Sequence, residues 1–260
     1  MTRKVLVTGG AGFIGSHVAD AYRAAGDDVT VLDDLSTGKR AHVPTDAAFV
    51  QADVRSPAAR ELLAKGGFTL LNHHAAQMDV RRSVADPVFD ADVNVLGLLN
   101  LLEGARLGGL QRVVFASSGG TVYGETMRLP VAESAPKLPG SPYGTAKLAS
   151  EYYLATFSQL YGLETVALRY GNVYGPRQNP HGEAGRRMAA WYASSSRVAR
   201  SISAMKRSAW RRIRRNCHHL RKMRYHETIE NTTRMASTNL VSRLDVRTSS
   251  QGVVGTARPT

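Results

Sequence analysis

The chain has 260 residues, of which 43% are hydrophobic, and 34 Lys and Arg against 21 Asp and Glu give it a formal net charge of +13. That length can bury a sizeable core, as one large domain or as one domain plus a small lobe. A single cysteine, Cys217, excludes an internal disulfide framework, and no run approaches the roughly 18 apolar residues of a membrane span.

The charge is unevenly spread. Residues 1–185 hold 17 Lys and Arg and 18 Asp and Glu, whereas residues 186–260 hold 17 and 3. The basic signal that would suggest a nucleic-acid partner therefore belongs to the last segment alone, and the rest is electrically ordinary. The chain runs from Met-Thr-Arg-Lys straight into an apolar strand, without the apolar stretch and cleavage site of a signal peptide. The cytoplasm is the expected compartment, and no membrane partner is expected.

An apolar run at 5–8 ends in glycines and predicts a strand, followed by a helix over 12–25. Gly26-Asp27-Asp28 breaks the pattern before a second strand at 29–32. Further strands are expected at 49–51, 69–73, 112–117 and 165–169, with helices at 57–65, 87–107 and 142–161. Continuously apolar strands alternating with helices imply a parallel sheet covered on both faces. The expected fold is α/β, a doubly wound Rossmann-type parallel sheet over residues 1–185. Beyond Gly185 only two of 24 glycines remain, and Arg and Ser make up 25 of the residues. Val198, Ile202, Met205, Ala209 and Ile213 recur there at helical spacing. Residues 186–260 read either as an isolated basic amphipathic helix or as a poorly ordered tail.

The glycine-rich turn Thr8-Gly9-Gly10-Ala11-Gly12-Phe13-Ile14-Gly15 joins the first strand to the first helix. Gly9 allows the tight turn, Gly12 lets backbone approach a pyrophosphate, and Gly15 permits close helix–strand packing, with the helix N-terminus facing the phosphates. Asp33, at the end of the second strand, is placed to hydrogen-bond ribose hydroxyls and repel a 2′-phosphate, which favours NAD over NADP. An ordinary strand-end turn in Asp33-Asp34-Leu35-Ser36-Thr37-Gly38 is the plainer alternative.

Tyr143 and Lys147 stand four residues apart on one face of the helix predicted over 142–161. An ammonium beneath the phenol is expected to lower its pKa and make it a usable base. Ser117 and Ser118 end the fifth strand, where strand C-termini face the ligand crevice. His73 and His74 are not read as metal ligands, because no third ligand stands at a sensible spacing.

Together, Val-Thr-Gly-Gly-Ala-Gly-Phe-Ile-Gly-Ser-His, the Asp-Asp-Leu-Ser-Thr-Gly turn and Tyr143-x-x-x-Lys147 resemble the NAD-dependent epimerase/dehydratase family. These are extended short-chain dehydrogenases that act on nucleotide sugars. The resemblance runs through Arg169-Tyr170-Gly171-Asn172-Val173-Tyr174-Gly175-Pro176-Arg177 and fades after Gly185. It implies an NAD site built from Gly9, Gly12, Phe13, Ile14 and Gly15, with Asp33, Asp34, Ser36, Thr37 and Gly38 at the adenosine ribose. Asp53 and Val54 are implied to bracket the adenine. His74, Ala75, Ala76, Gln77, Ser117 and Tyr170 would line the dinucleotide groove, and Asn94 would hold backbone around it.

The resemblance also implies a UDP-sugar substrate and a mechanism. Tyr143, as phenolate, removes the proton of the sugar 4-hydroxyl while hydride passes from C4 to the nicotinamide and later returns on the other face. Lys147 lowers the tyrosine pKa and binds the nicotinamide ribose, Ser118 orients the hydroxyl, and Asn172 contacts the nucleotide diphosphate. Counted from the strand, the catalytic serine is Ser118. Counted back from Tyr123 it falls on Gly119, so Ser117 stays a candidate. Dehydrating relatives carry an Asp-Glu pair after the serine or threonine and decarboxylating ones a Glu. Gly119-Gly120 stand there, and glycine cannot move a proton, so epimerisation is favoured.

Helices near 87–107 and 142–161 are candidate surfaces for a homodimer. The family's second lobe carries an Arg-Asp-Phe/Tyr-x-Tyr-Val segment that residues 186–260 lack. This break reads as an out-of-frame translation or as a divergent module, and impaired activity is expected from either. Two rival readings are an NAD-binding protein without turnover and a nucleic-acid binder using the arginines around Trp210 and Tyr225.

Overall fold

A computed structural model describes residues 2–125 and 130–179. The expectations for 186–260, including the basic helix, the tail and its nucleic-acid partner, lie outside the described residues. Strands Lys4–Thr8 (β1), Asp28–Asp33 (β2), Ala48–Gln51 (β3), Leu70–His73 (β4), Arg112–Ser118 (β5) and Glu164–Tyr170 (β6) form one sheet in the order β3-β2-β1-β4-β5-β6. Every pairing is parallel. This is the doubly wound order, whose direction reverses between β1 and β4 and opens a crevice at their C-terminal ends.

Side chains alternate across the sheet, so the unbroken apolar strands feed two cores. Leu6, Leu32, Leu71 and Phe115 face the helices Pro57–Lys65 (α2), Gly97–Leu107 (α5) and Pro142–Tyr161 (α7), meeting Leu63, Leu101 and Leu154. On the other side Val5, Val7, Val29, Val31 and Val114 pack with Ala19 and Tyr22 of the helix Phe13–Ala24 (α1). Among the described residues β6 is a sheet edge, and its Val166 is exposed.

Strong local signals account for the helices whose bounds match expectation. α2 starts at Ser56, whose side chain accepts from Ala59 N, with Pro57 in the first turn. α7 starts at Ser141, which accepts from Gly144 N, and stops at Gly162 in the left-handed region, φ 69°.

The segment expected as one helix over 87–107 is instead Pro87–Ala91 (α4), a π-helical turn Asp92–Leu96, and α5. The wide turn sits where the Asn94 side chain leaves the helix to bond the Gln77 backbone, and such bulges gather at functional sites. The helices Val80–Ala85 (α3) and Gly119–Val122 (α6) and a 3₁₀ turn Arg40–His42 were not expected. α3 is too short to show a period and depends on Asp79, which accepts from Arg81 N and Arg82 N. α6 contains two glycines, which disfavour helix, so tertiary context holds it.

His73 ends β4 with 1% of its surface exposed, its Nδ1 lying 2.6 Å from Thr8 Oγ1 and its ring stacked on Phe115. Burial pushes it down to about 3. A base depressed in the folded state leaves stability intact above its unfolded value and erodes it as pH falls below. Taking the protein from pH 7 to pH 5 is expected to cost about 2 kcal/mol through His73 alone. Urea unfolding at both pH values, with His73→Asn as the comparison, checks that share.

Candidate active site

The crevice floor is the glycine turn between β1 and α1. Gly9 sits at φ +68°, and a Cβ there would lie 2.6 Å from Ala75 N, so the turn touches the backbone that leaves β4. A Cβ on Gly15 would fall 2.2 Å from Gly9 O, so the helix packs directly on the turn. α1 has Gly12 at its N-cap, no side-chain cap and no acidic residue in its first turn. Its leading amides therefore point at the crevice with no protein carboxylate to satisfy them, a ready site for a pyrophosphate.

Asp33 closes the turn from the side. Its Oδ2 accepts from Ala11 N at 2.9 Å and its Oδ1 from Leu35 N at 2.8 Å. Burial raises its pKa despite those two amides. Asp34 accepts from Ser36 N and Ser36 Oγ, and Thr37 is exposed. A Cβ on Gly38 would lie 2.9 Å from both Ala11 and Asp33 Oδ1, so this loop lies flat over the glycine turn. Asp53 is held by Arg55, which also reaches Asp92 across the π turn, while Val54 is buried.

Beyond β4, His74 stacks on Tyr170, with His74 Nε2 3.3 Å from Tyr170 Oη. His74 Nδ1 is buried without a partner. Ala75 and Ala76 follow, half-buried. Gln77 N donates to Asn94 Oδ1 and Asn94 Nδ2 donates to Gln77 O, so one side chain clamps the loop as a strand neighbour would. Asn172 is exposed past β6.

Tyr143 and Lys147 share the α7 face that meets the ends of β4 and β5. Lys147 Nζ donates to Ala116 O at 3.0 Å and lies 4.7 Å from the Phe115 ring and 5.7 Å from the Tyr143 ring. Here the sequence expectation needs correction. Burial pushes the phenol up to about 12, with Asp90 adding to the rise, and pushes Lys147 down to about 8. The ammonium stands beside the ring and spends one proton on a carbonyl, so desolvation wins over its attraction.

The two serines separate cleanly. Ser117 is buried and donates to Glu151 Oε1 at 2.6 Å. Ser118, next along the strand and so on the opposite face, is half-buried and caps α6 without a side-chain bond to it. Among the described residues no group of three or more His, Cys, Asp or Glu is placed to hold a metal ion.

A profile of the NAD dependent epimerase/dehydratase family matches residues 5–211. The chain belongs to that family. The match passes Gly185, where the motifs fade, so family character reaches further than the motifs alone indicate. A putative UDP-glucose 4-epimerase of Methanocaldococcus jannaschii is 49% identical over 181 residues, 70% of this chain and 59% of that protein. The UDP-glucose 4-epimerase of Mycolicibacterium smegmatis is 46% identical over 187 residues, 70% of this chain and 60% of its own. Among solved structures, the Thermus thermophilus UDP-glucose 4-epimerase complex with NAD is 51% identical with a TM-score of 0.66, over 70% of this chain and 59% of that one. The chain therefore spans about three fifths of the relatives it matches.

This member of the epimerase/dehydratase family also carries residues around the site that its motifs do not announce. Glu151 accepts from Ser117 and from Arg169 Nε and Nη2, and Arg169 Nη1 donates to Tyr123 Oη at 2.6 Å. Although burial pushes Glu151 upward, these partners hold its pKa below the usual value. One signal was visible: Glu151 follows Lys147 by one helical turn and Tyr143 by two. Asp90 and Thr121 each hold a buried oxygen without a partner, and nothing in their local sequence marks them.

Proposed function

We propose that this chain is the dinucleotide-binding and catalytic part of a nucleotide-sugar 4-epimerase of the UDP-glucose 4-epimerase type, using NAD. The observation that carries the reading is that Lys147, 5.7 Å from the Tyr143 ring, bonds Ala116 O two residues before Ser118, at the end of β5, while the glycine turn follows the C-terminal end of β1 in the same parallel sheet. The uncapped start of α1, the Gly9 and Gly15 contacts, and the orphan His74 Nδ1 suit a dinucleotide.

When bound, the dinucleotide supplies a reversible hydride acceptor at the sugar carbon and, in its oxidised form, a positive charge near the phenol. The backbone amides of Phe13 and Ile14 would hold the pyrophosphate, with Gly12, whose own amide is bonded to Gly9 O, letting them approach it. Lys147 keeps two donors free of Ala116 O for ribose hydroxyls. Ser118 Oγ holds the sugar hydroxyl, and Tyr143 Oη takes its proton and gives it back. Asn172 contacts the nucleotide diphosphate. Gly119 and Gly120 leave no acid beside the sugar, which disfavours elimination of water.

The substrate is a UDP-hexose. The solved Thermotoga maritima UDP-glucose 4-epimerase with UDP-glucose, 43% identical with a TM-score of 0.68, supports that class. Exposed Val88 and Leu96, with Tyr152 and Tyr153 of α7, support homodimerisation through these helices. No helix among the described residues is long and apolar enough to cross a membrane. Turnover is expected to be weak, because residues 186–260 carry 17 Lys and Arg against 3 acids and repel on compaction. Conversion of UDP-galactose to UDP-glucose by the full chain with NAD tests the reading. NAD binding with no conversion would leave only the dinucleotide half of it.

Asp33 sets the cofactor choice. Asp33→Ala is expected to narrow the preference for NAD over NADP by about tenfold, as one buried carboxylate facing a 2′-phosphate is worth on the order of 1–2 kcal/mol. Calorimetric titration with both dinucleotides reads it. NADP binding as tight as NAD in the unsubstituted chain would sink the assignment.

A further inference from the structure

One face of α7 grips the end of β5 at consecutive residues. Lys147 Nζ donates to Ala116 O at 3.0 Å, and one helical turn later Glu151 Oε1 accepts from Ser117 Oγ at 2.6 Å. The next residue along the strand is Ser118. Arg169 stands opposite Ser117 in the parallel pairing of β5 with β6, so both side chains lie on the side of the sheet where they meet Glu151.

Glu151 is thus held from β5 and β6 together. Arg169 Nε lies 2.9 Å from its Oε1 and Nη2 2.6 Å from its Oε2, a forked contact on a carboxylate side chain only 11% exposed. The remaining nitrogen, Nη1, donates to Tyr123 Oη at 2.6 Å and to Glu133 O at 3.3 Å, and Tyr123 is the residue that ends α6. α6 takes no side-chain bond from Ser118 at its start. A Cβ on Gly119 would lie 3.1 Å from Arg169 O, and one on Gly144 2.8 Å from Thr121 O, so α6 is wedged between β6 and the start of α7. Ser118 therefore stands at a junction whose place is set by the elements that clasp it. The Arg112–Glu164 pair at the other end of β5 and β6 has side chains 49% and 63% exposed, and such pairs hold little.

We propose that Glu151, braced by Arg169, is a positioning residue for Ser118, tying the end of β5 to the helix that carries Tyr143 and Lys147. The inference rests on the reading of Ser118, Tyr143 and Lys147 as the sugar site. Glu151 acts through Ser118 and needs no contact with the sugar. The reason is geometric: a hydroxyl misplaced by about 1 Å can cost on the order of a hundredfold in rate.

The test has a structural arm and a kinetic one, both on the full chain. Glu151→Gln keeps the shape and an acceptor but removes the charge that Arg169 grips. Amide hydrogen exchange over residues 117–123 is expected to rise about tenfold, while that over 112–115 stays in place. With NAD and UDP-galactose, Glu151→Gln is expected to lower kcat about tenfold and leave KM within about twofold. In a Ser118→Ala background the same substitution should cost less than about twofold, because its effect passes through Ser118. A role in stability alone would cost the same in both backgrounds. Glu164→Gln, which breaks the exposed pair, should leave kcat and the exchange over 117–123 unchanged. If Glu151→Gln fails to fold, Ser117→Ala cuts the same link while sparing the Glu151–Arg169 pair, and a rise of about threefold in exchange is expected. Unchanged exchange over 117–123, or a kcat loss that persists in full in Ser118→Ala, would overturn the proposal. A chain that converts no UDP-galactose counts against the epimerase reading instead, and the exchange arm still decides whether Glu151 fixes the end of β5.

Discussion

Tyr143→Phe is expected to cut epimerisation by about a thousandfold while NAD affinity stays within about threefold, because it deletes a proton-transfer group and keeps the ring. The ring is what packs: it is half-buried at the start of α7 beside Lys147, and its hydroxyl has no protein partner among the bonds of the site. The free phenol, held up at about 12, is a poor base at neutral pH. Its competence therefore depends on positive charge assembled around it when the ligands bind, and loss of the oxygen should fall on kcat rather than on cofactor binding. Conversion assays paired with calorimetric titration of NAD separate the two. Normal turnover by Tyr143→Phe would remove Tyr143 from the mechanism.

Gly9→Val is expected to destabilise the protein by about 3 kcal/mol or more and to abolish measurable NAD binding, since a left-handed backbone and a backbone overlap are both forced. Gly9 sits at φ +68°, and its new Cβ would stand 2.6 Å from Ala75 N and 2.8 Å from Ala75 Cα. Those are backbone atoms at the end of β4, which cannot swing aside as a side-chain tip can. Gly26→Ala is the calibrating variant: φ is +85° but nothing lies within 4 Å of the new Cβ. It should cost only about 1–2 kcal/mol, the left-handed penalty by itself. Equal urea midpoints for the two variants would show that the approach of β4 to the glycine turn is not what Gly9 serves.

Local signals explain what was legible without coordinates. The central strands β1, β2, β4 and β5 announced themselves as apolar runs because most of their residues are buried, whereas the edge strands β3 and β6 are only partly buried, and the doubly wound class followed from the alternation of strands with helices. α2 and α7 start at Ser-Pro and α7 ends at a left-handed glycine, so their limits are written in adjacent residues. The glycine turn, Asp33 and the Tyr143–Lys147 pair were visible for the same reason: a short stretch of chain carries each one.

What the tertiary structure decided depends on residues distant in the chain. Ser117 and Ser118 are equivalent in sequence, and only Glu151 of α7, itself held by Arg169 of β6, engages the first, while the second caps α6 without a side-chain bond to it. The helix expected over 87–107 widens at Asp92–Leu96 because Asn94 bonds the Gln77 loop, a contact no helical period encodes. The ionisation of the central pair is likewise invisible locally. Spacing says that an ammonium stands near a phenol, but it cannot say how much water the fold removes from both. That desolvation pushes the phenol up and the ammonium down.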